Sequence, residues 1–167
     1  AEALAMRACH LVGLSDEFFE KSPFNLSGGQ MRRVAIAGAL ACDPDILILD
    51  EPTVGLDPRG KDELMQLLVD IQKETHKTII MITHDMNIVA GFAKRVVVMN
   101  HGELVYDGDK HTLFENKSLL DEFHLDLPTP ATLAEGLISR GLIHPKSLPL
   151  TKEELLTAIL REGEYDE

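Results

Sequence analysis

The stretch ILILDEP, residues 46–52, places two adjacent carboxylates directly after a run of four aliphatic residues. A continuous apolar run of this length predicts a short strand that is buried on both faces, as in a parallel sheet. The carboxyl ends of such strands are where α/β sheets bind their ligands. Asp50 and Glu51 are therefore expected at the ligand-binding edge of the sheet. A solvated acidic turn after a strand would have the same sequence.

Predicted helices and strands alternate on both sides of this stretch. The pattern predicts helices over 30–41, 61–74 and 85–92, a second buried strand over 78–83, and a hairpin formed by 95–99 and 103–108. This alternation predicts an α/β fold with a mostly parallel sheet. From about residue 127 onwards prolines punctuate two short amphipathic helices, and Thr151 followed by Glu154 predicts a capping box for the second helix.

A Gly-rich helix start, NLSGGQMRR (25–33), comes before the acidic strand. Small residues at Ser27, Gly28 and Gly29 leave backbone N–H groups unobstructed where the helix dipole adds partial positive charge. This arrangement suits an anion such as the γ-phosphate of a nucleotide. The plainer alternative is an ordinary serine N-cap followed by glycines.

A histidine follows the second predicted strand in MITHDM (81–86). Parallel strands end at one edge of a sheet, so His84 is expected near Asp50 and Glu51, where it could hydrogen-bond a phosphate oxygen. A lone histidine is more often a surface or structural residue. His101 and His124 have no comparable context and are predicted to be of that kind.

The segment GLDPRGKD (55–62) matches the phosphate-loop template G-x-x-x-x-G-K-[ST] at every fixed position except the last, where Asp62 replaces Ser or Thr. It follows the Asp-Glu pair by a few residues, whereas a phosphate loop leaves its strand directly. Pro58 offers no N–H, and Asp57 and Asp62 would repel a triphosphate. We interpret the match as coincidental and expect a loop that runs into a helix.

Taken together and in order, these motifs resemble the nucleotide-binding subunits of ATP-binding cassette (ABC) transporters over roughly residues 1–110. LSGGQ (26–30) matches the family's signature, ILILDEP its Walker B strand, VGLD (54–57) its D-loop and His84 its switch histidine. The resemblance implies a P-loop NTPase fold in which two subunits sandwich two ATP molecules head to tail.

The resemblance also implies a role for each site residue. Asp50 would hold Mg²⁺, generally through water, and Glu51 would orient the attacking water as a general base. His84 would serve the same ATP. Asp57 would belong to the D-loop. The signature residues would contact ATP held by the partner subunit: Ser27, Gly28, Gly29 and Gln30.

The predicted organisation is a portion of an ABC ATPase domain over 1–126 and a helical appendage over 127–167. Residues 1–43 would belong to the helical subdomain that carries the signature, and 44–126 to the catalytic core. The appendage would either cap its own domain or dimerise. Because helical spacing is present from the first residues and the chain lacks another phosphate-loop sequence, we expect a C-terminal portion that is inactive alone.

Composition limits the possible partners. The net charge of −12 and pI of about 4.9 argue against a nucleic-acid groove. Two cysteines without C-x-x-C spacing, Cys9 and Cys42, predict neither a disulfide framework nor a zinc site. No apolar run approaches the roughly 20 residues of a membrane helix, so any work at a membrane would be done through a partner.

The sequence FNLSGGQMRRVAIAGALACDPDILILDEPTVGLDP, followed by a proline-punctuated appendage, looks like the energy-coupling factor (ECF) type of ABC ATPase. That resemblance implies ATP hydrolysis driving uptake of a vitamin or metal ion from the cytoplasmic face of the membrane. The implied partners are a second ATPase subunit, a transmembrane coupling protein and a substrate-binding membrane protein. Two alternatives are a soluble ABC-type ATPase and a non-catalytic dimerisation or regulatory module.

Overall fold

Helices and strands alternate over residues 28–100, as the sequence pattern predicts. The computed structural model describes residues 2–19 and 21–163, and the chain divides into two units, 1–84 and 85–167. The first unit contains α1 (Glu2–Leu11), α2 (Gly28–Leu40), β1 (Ile46–Asp50), α3 (Pro58–Thr75) and β2 (Thr78–Ile82), with short 3₁₀ turns at Asp16–Phe18 and Pro23–Asn25. The second contains α4 (Met86–Phe92), β3 (Val96–Asn100), β4 (Glu103–Gly108), α5 (Lys110–Glu115), α6 (Lys117–Phe123), α7 (Thr129–Ile138) and α8 (Lys152–Gly163).

The first unit contains the predicted parallel pair of strands. β1 and β2 pair in parallel over their full length, from the pair Ile46–Thr78 to the pair Asp50–Ile82. Their carboxyl ends therefore lie at one edge, and the residues that follow both strands meet there. Leu47 of β1 is 3 % exposed, and α3 contacts β2, so one face of this small sheet is packed within the unit.

The other face of the same sheet is not buried. Ile48 is 62 % exposed, and three further isoleucines of the two strands are between 45 % and 53 % exposed: Ile46, Ile80 and Ile82. The prediction that β1 and β2 are buried on both faces is wrong for this structure. The physical reason is that, among the described residues, helices cover only the face that carries Leu47.

The predicted hairpin is confirmed in the second unit, where β3 pairs antiparallel with β4. His101 and Gly102 both have positive φ, of 48° and 83°, which suits a tight turn between twisted strands. In the described residues the strands thus form two separate two-stranded sheets, β1–β2 and β3–β4, and not one mostly parallel sheet. Only two residues separate β3 from β4, so their pairing joins residues that are close in sequence.

One apolar core runs through the helices of the second unit. It combines Val89 and Ala90 of α4 with one buried residue each from α5, α6, α7 and the segment before α8: Phe114, Leu120, Ala131 and Leu150. The helices α5 and α6 were not predicted from the sequence, since each is short and has little amphipathic pattern. The division of the chain at residue 127 stays a prediction, and its last four residues, 164–167, lie outside the described part.

Helix α8 begins with the capping box that the sequence predicts. The Glu154 N–H donates to Thr151 Oγ1 at 3.2 Å, and Thr151 N–H donates back to Glu154 Oε2 at 3.3 Å. One face of this helix carries exposed leucine and isoleucine side chains at helical spacing: Leu156, Ile159 and Leu160. Of the helices in the described ranges, none combines the length and the apolar character that crossing a membrane requires.

A lysine ties the loop before β1 to the start of β2 and predicts a pH dependence. Lys77 Nζ donates to Asp43 Oδ1 and to Pro44 O, both at 2.7 Å, and this hydrogen bond lowers the pKa of the Asp43 carboxyl. A carboxyl with a lowered folded-state pKa adds stability above its unfolded value of about 4 and loses it as the pH falls further. The Asp43 side chain is 78 % exposed, so the contribution is small.

We therefore expect Asp43→Asn to lower the free energy of unfolding at neutral pH and to lose its effect in acid. Asparagine tolerates the φ of 49° at this position, so the variant tests the charge and not the backbone. Urea unfolding of both proteins between about pH 7 and pH 2 measures the difference. A difference that stays constant across this range would contradict the assignment.

Candidate functional site

Three predicted site residues meet where β1 and β2 end. Asp50 is the last residue of β1, and Glu51 follows it with a left-handed backbone, φ 44°. The Glu51 N–H donates to Ile82 O at 2.9 Å, which holds this residue to the end of β2. His84 lies two residues beyond Ile82, so the parallel register brings all three side chains to one edge.

Glu51 and His84 form a direct hydrogen bond. Glu51 Oε1 lies 2.6 Å from His84 Nδ1, with the glutamate side chain 33 % exposed and the imidazole 82 % exposed. A carboxylate can only accept, so Nδ1 carries the proton in this arrangement. The neutral ring then offers Nε2 as an acceptor, and the protonated ring offers it as a donor that could reach a phosphate oxygen. The pair can therefore hold or move a proton at the sheet edge.

Asp50 presents an exposed carboxylate at the same edge. Within the described ranges, no three His, Cys, Asp or Glu side chains converge as a set of metal ligands. Mg²⁺ does not need such a set, because proteins hold it with one or two carboxylates while water and substrate phosphates fill its other positions. The donor chemistry at this edge thus fits a magnesium ion bound together with a nucleotide, with Asp50 as the protein ligand.

The signature begins helix α2 with a complete capping box. The Gln30 N–H donates to Ser27 Oγ at 3.3 Å, and the Ser27 N–H donates to Gln30 Oε1 at 2.9 Å. Both oxygens act as acceptors here, which leaves the Ser27 hydroxyl hydrogen and the Gln30 amide hydrogens able to donate to a ligand. The serine N-cap and a ligand-binding role therefore do not exclude each other.

The two glycines of the signature leave the start of α2 open. A Cβ built on Gly28 or Gly29 would meet no atom within 4 Å, and both residues are exposed. As the first two residues of the helix, they have N–H groups without an intrahelical acceptor. With the positive end of the helix dipole beside them, these donors suit an anion such as a phosphate.

The structure identifies GLDPRGKD as a helix start. Helix α3 begins at Pro58, three residues before the predicted start, and Asp57 is its N-cap, with Oδ1 accepting from the Gly60 N–H at 3.1 Å. A Cβ on Gly60 would lie only 2.7 Å from that oxygen, so glycine allows the close approach of the cap. The expectation that this segment runs into a helix is confirmed.

Two arginines of α2 tie the helix to neighbouring backbone, and the sequence reasoning assigned them no role. Arg33 Nη1 donates to Val12 O at 2.8 Å, and Arg32 Nη1 donates to Pro52 O, next to Glu51. The available signal was the pair of charges inside the otherwise apolar run QMRRVAIAGALA. The structure thus joins Asp50, Glu51 and His84 at one edge, and places the signature and Asp57 at the starts of α2 and α3.

Comparison with known proteins gives one family and close relatives. The family described as ABC transporter matches residues 2–54. A curated protein of Enterococcus faecalis named energy-coupling factor transporter ATP-binding protein EcfA2 is 44 % identical over 97 % of this chain. The protein of that name from Streptococcus pyogenes is 48 % identical over 98 %. The chain spans 56 % and 57 % of the length of these relatives.

Solved structures agree in fold. CbiO1 from Clostridium perfringens, described as part of the ABC transporter complex cbiONQ, matches 80 % of this chain and 53 % of its own, with 41 % identity and a TM-score of 0.64. The ATP-binding cassette MJ0796, in a dimeric post-hydrolysis state bound to ADP and Pi, matches 64 % and 46 %, with 36 % identity and a TM-score of 0.54. The predicted α/β P-loop NTPase fold class is thereby confirmed.

Proposed function

The chain belongs to the ABC transporter family of ATPases, and from this premise we propose that it supplies the catalytic carboxylate and the signature of an ECF-type ATPase. In this proposal, ATP hydrolysis is coupled to uptake of a micronutrient, a vitamin or a metal ion, across the membrane. The observation that carries the proposal is the hydrogen-bonded pair of Glu51 and His84 at the carboxyl edge of β1 and β2.

Glu51 is proposed to be the general base that orients and deprotonates the attacking water. His84 positions that carboxylate through Nδ1, and its Nε2 remains available as a second polar group. Asp50 would hold Mg²⁺, which would supply positive charge to offset the charge that develops on the phosphate oxygens. The proposal is supported by the 2.6 Å contact between Glu51 Oε1 and His84 Nδ1, which holds the carboxylate at the edge of the sheet.

The signature is proposed to bind ATP that a second ATPase subunit holds. Gly28 and Gly29 offer N–H groups, and the Ser27 hydroxyl and the Gln30 amide keep donors available in the capping box. Asp57 is proposed to act in the D-loop, and its carboxylate caps α3 here. If these donors bind the phosphates of that ATP, ATP binding depends on the pairing of two subunits.

The remaining partners are proposed from the resemblance to ECF-type ATPases. They are a second ATPase subunit, identical or homologous, a transmembrane coupling protein and a membrane protein that binds the solute. The ATPase would then act on the cytoplasmic face of the membrane. The appendage, residues 127–167, is proposed to help pair the ATPases, and the exposed apolar face of Leu156, Ile159 and Leu160 supports this role.

Two measurements test the proposal. The first is titration of the 167-residue chain with Mg-ATP, and we expect no saturable binding, because its sequence contains no complete G-x-x-x-x-G-K-[ST] motif. Tight, stoichiometric binding would contradict the interpretation of residues 55–62. The second is ATP hydrolysis by the whole protein that the gene encodes, reconstituted with its membrane partners.

Hydrolysis by that complex would support the catalytic reading. The alternative is a non-catalytic dimerisation or regulatory module, which the missing phosphate-loop sequence favours for the 167 residues as they stand. A whole protein that pairs with other ATPase subunits but hydrolyses no ATP at its own site would establish this alternative.

A further inference from the structure

We propose that Arg32 is a positioning residue that ties the signature helix α2 to the backbone beside Glu51, so that a ligand at the signature influences the catalytic carboxylate. The hydrogen bond from Arg32 to the Pro52 carbonyl, here called the tie, is observed in the structure of this chain. Its influence on catalysis rests on the function proposed above. Arg32 lies two residues beyond LSGGQ, within the stretch NLSGGQMRR, but the sequence assigned it no role.

The tie joins the first turns of α2 to the loop that follows β1. Arg32 lies five residues after Ser27, hence about one and a half turns into the helix. Its Nη1 donates to the carbonyl oxygen of Pro52, and this contact is partly buried. Pro52 directly follows Glu51 and is itself buried, as is Thr53 at 2 % exposure.

The backbone of Glu51 is consequently held on both sides. On one side its own N–H donates to Ile82 O of β2 at 2.9 Å. On the other side the next peptide carbonyl, that of Pro52, accepts from Arg32. The Val54 N–H closes the turn by donating to Glu51 O at 3.3 Å. Because the proline ring also fixes φ at Pro52, little freedom remains in the left-handed turn that aims Glu51.

A guanidinium suits this task better than other donors. Its charge strengthens a hydrogen bond to a carbonyl, and its planar fork loses little rotamer freedom once it is packed. Pro52 is buried, so loss of the donor would leave its carbonyl with poor access to water. Lysine could supply one charged donor but not the rigid, planar guanidinium.

The tie gives the signature a mechanical connection to the base. A helix moves as a rigid body over one or two turns, so a shift of Ser27–Gln30 toward an anion also displaces Arg32. That displacement is passed to Pro52 and so to Glu51. In a head-to-tail dimer of the proposed kind, the signature and Glu51 serve different ATP molecules. Arg32 would then couple occupancy of one site to alignment of the base at the other.

Amide hydrogen exchange on the 167-residue chain tests the tie without any need for activity. We expect Arg32→Gln to speed exchange at Val54 and Leu56, whose N–H groups close the loop, by about tenfold or more, the change that a single lost hydrogen bond produces. Arg59→Gln is the matched control, since that arginine is 87 % exposed on α3. Arg32→Lys should give intermediate protection, and unchanged exchange in Arg32→Gln would overturn the tie.

A double-mutant cycle on the whole protein tests the coupling. We expect Arg32→Gln to lower kcat for ATP by about 10- to 100-fold, as misplacement of a catalytic group does, with KM little changed. In a Glu51→Gln background the same substitution should have no further effect. An equal loss in both backgrounds would overturn the positioning role. If the wild-type protein hydrolyses no ATP, the proposed function fails, and the exchange experiment still decides whether Arg32 holds the loop.

Discussion

Replacing Glu51 by glutamine is expected to lower ATP turnover of the whole protein by about 10²- to 10⁴-fold, the usual contribution of a general base. Glutamine has the same size and can still accept the hydrogen bond from His84 Nδ1, so the geometry of the edge is retained. Its neutral amide cannot take a proton from water. Affinity for Mg-ATP should therefore change little, because Glu51 is proposed to act on water and not on the nucleotide.

Steady-state phosphate release and equilibrium nucleotide binding on the same preparation measure the two effects separately. Glu63→Gln provides the matched control, since Glu63 is a half-exposed carboxylate on α3 that pairs with Arg59. Turnover of the control should equal that of the wild type. If Glu51→Gln hydrolyses ATP at the wild-type rate, Glu51 is not the base, and the proposed assignment of the sheet edge is wrong.

The second large effect is expected from Gly29→Asp in the signature. A carboxylate at this position would stand where a phosphate is proposed to bind. Two like charges about 4 Å apart repel by about 4 kcal/mol at an effective dielectric constant of about 20, so turnover should fall by at least about 100-fold. Stability should not fall, because the added Cβ meets no atom within 4 Å and an acidic residue in the first turn interacts favourably with the helix dipole.

Because turnover is expected to fall while stability does not, the two measurements together separate loss of phosphate binding from loss of folding. Urea unfolding should give wild-type or slightly higher stability for Gly29→Asp, while ATP hydrolysis is nearly lost. Gly38→Asp introduces the same charge on the same helix, at a position that is also open, and should leave turnover close to the wild type. Normal hydrolysis by Gly29→Asp would show that the start of α2 does not meet a phosphate.

Local signals predicted much of this fold and most of the candidate site. The apolar runs at 46–49 and 79–82 predicted parallel strands, and their common end explains why His84 was expected beside Glu51. The capping box at Thr151 and Glu154 and the helix after Asp57 were also readable, because caps depend on residues a few positions apart.

What the sequence could not supply depends on tertiary packing. An isoleucine such as Ile48 looks buried in any apolar run, and only the structure reveals that one face of the β1–β2 sheet is exposed. The contact of Arg32 with Pro52 joins residues twenty positions apart through a backbone carbonyl, which leaves no pattern in side-chain chemistry. The left-handed backbone of Glu51 is equally hidden, since glutamate has no preference for it.

At Glu51, the left-handed backbone favours glycine, whereas the proposed catalytic role requires a carboxylate. A non-glycine residue at a φ of 44° costs about 1 to 2 kcal/mol, and glycine would relieve this strain. Directed evolution that selects only for thermal resistance would therefore be drawn to Glu51→Gly and would enrich a sturdier protein without its proposed base. Selection schemes for this chain should score turnover alongside melting temperature, because the two objectives diverge at Glu51.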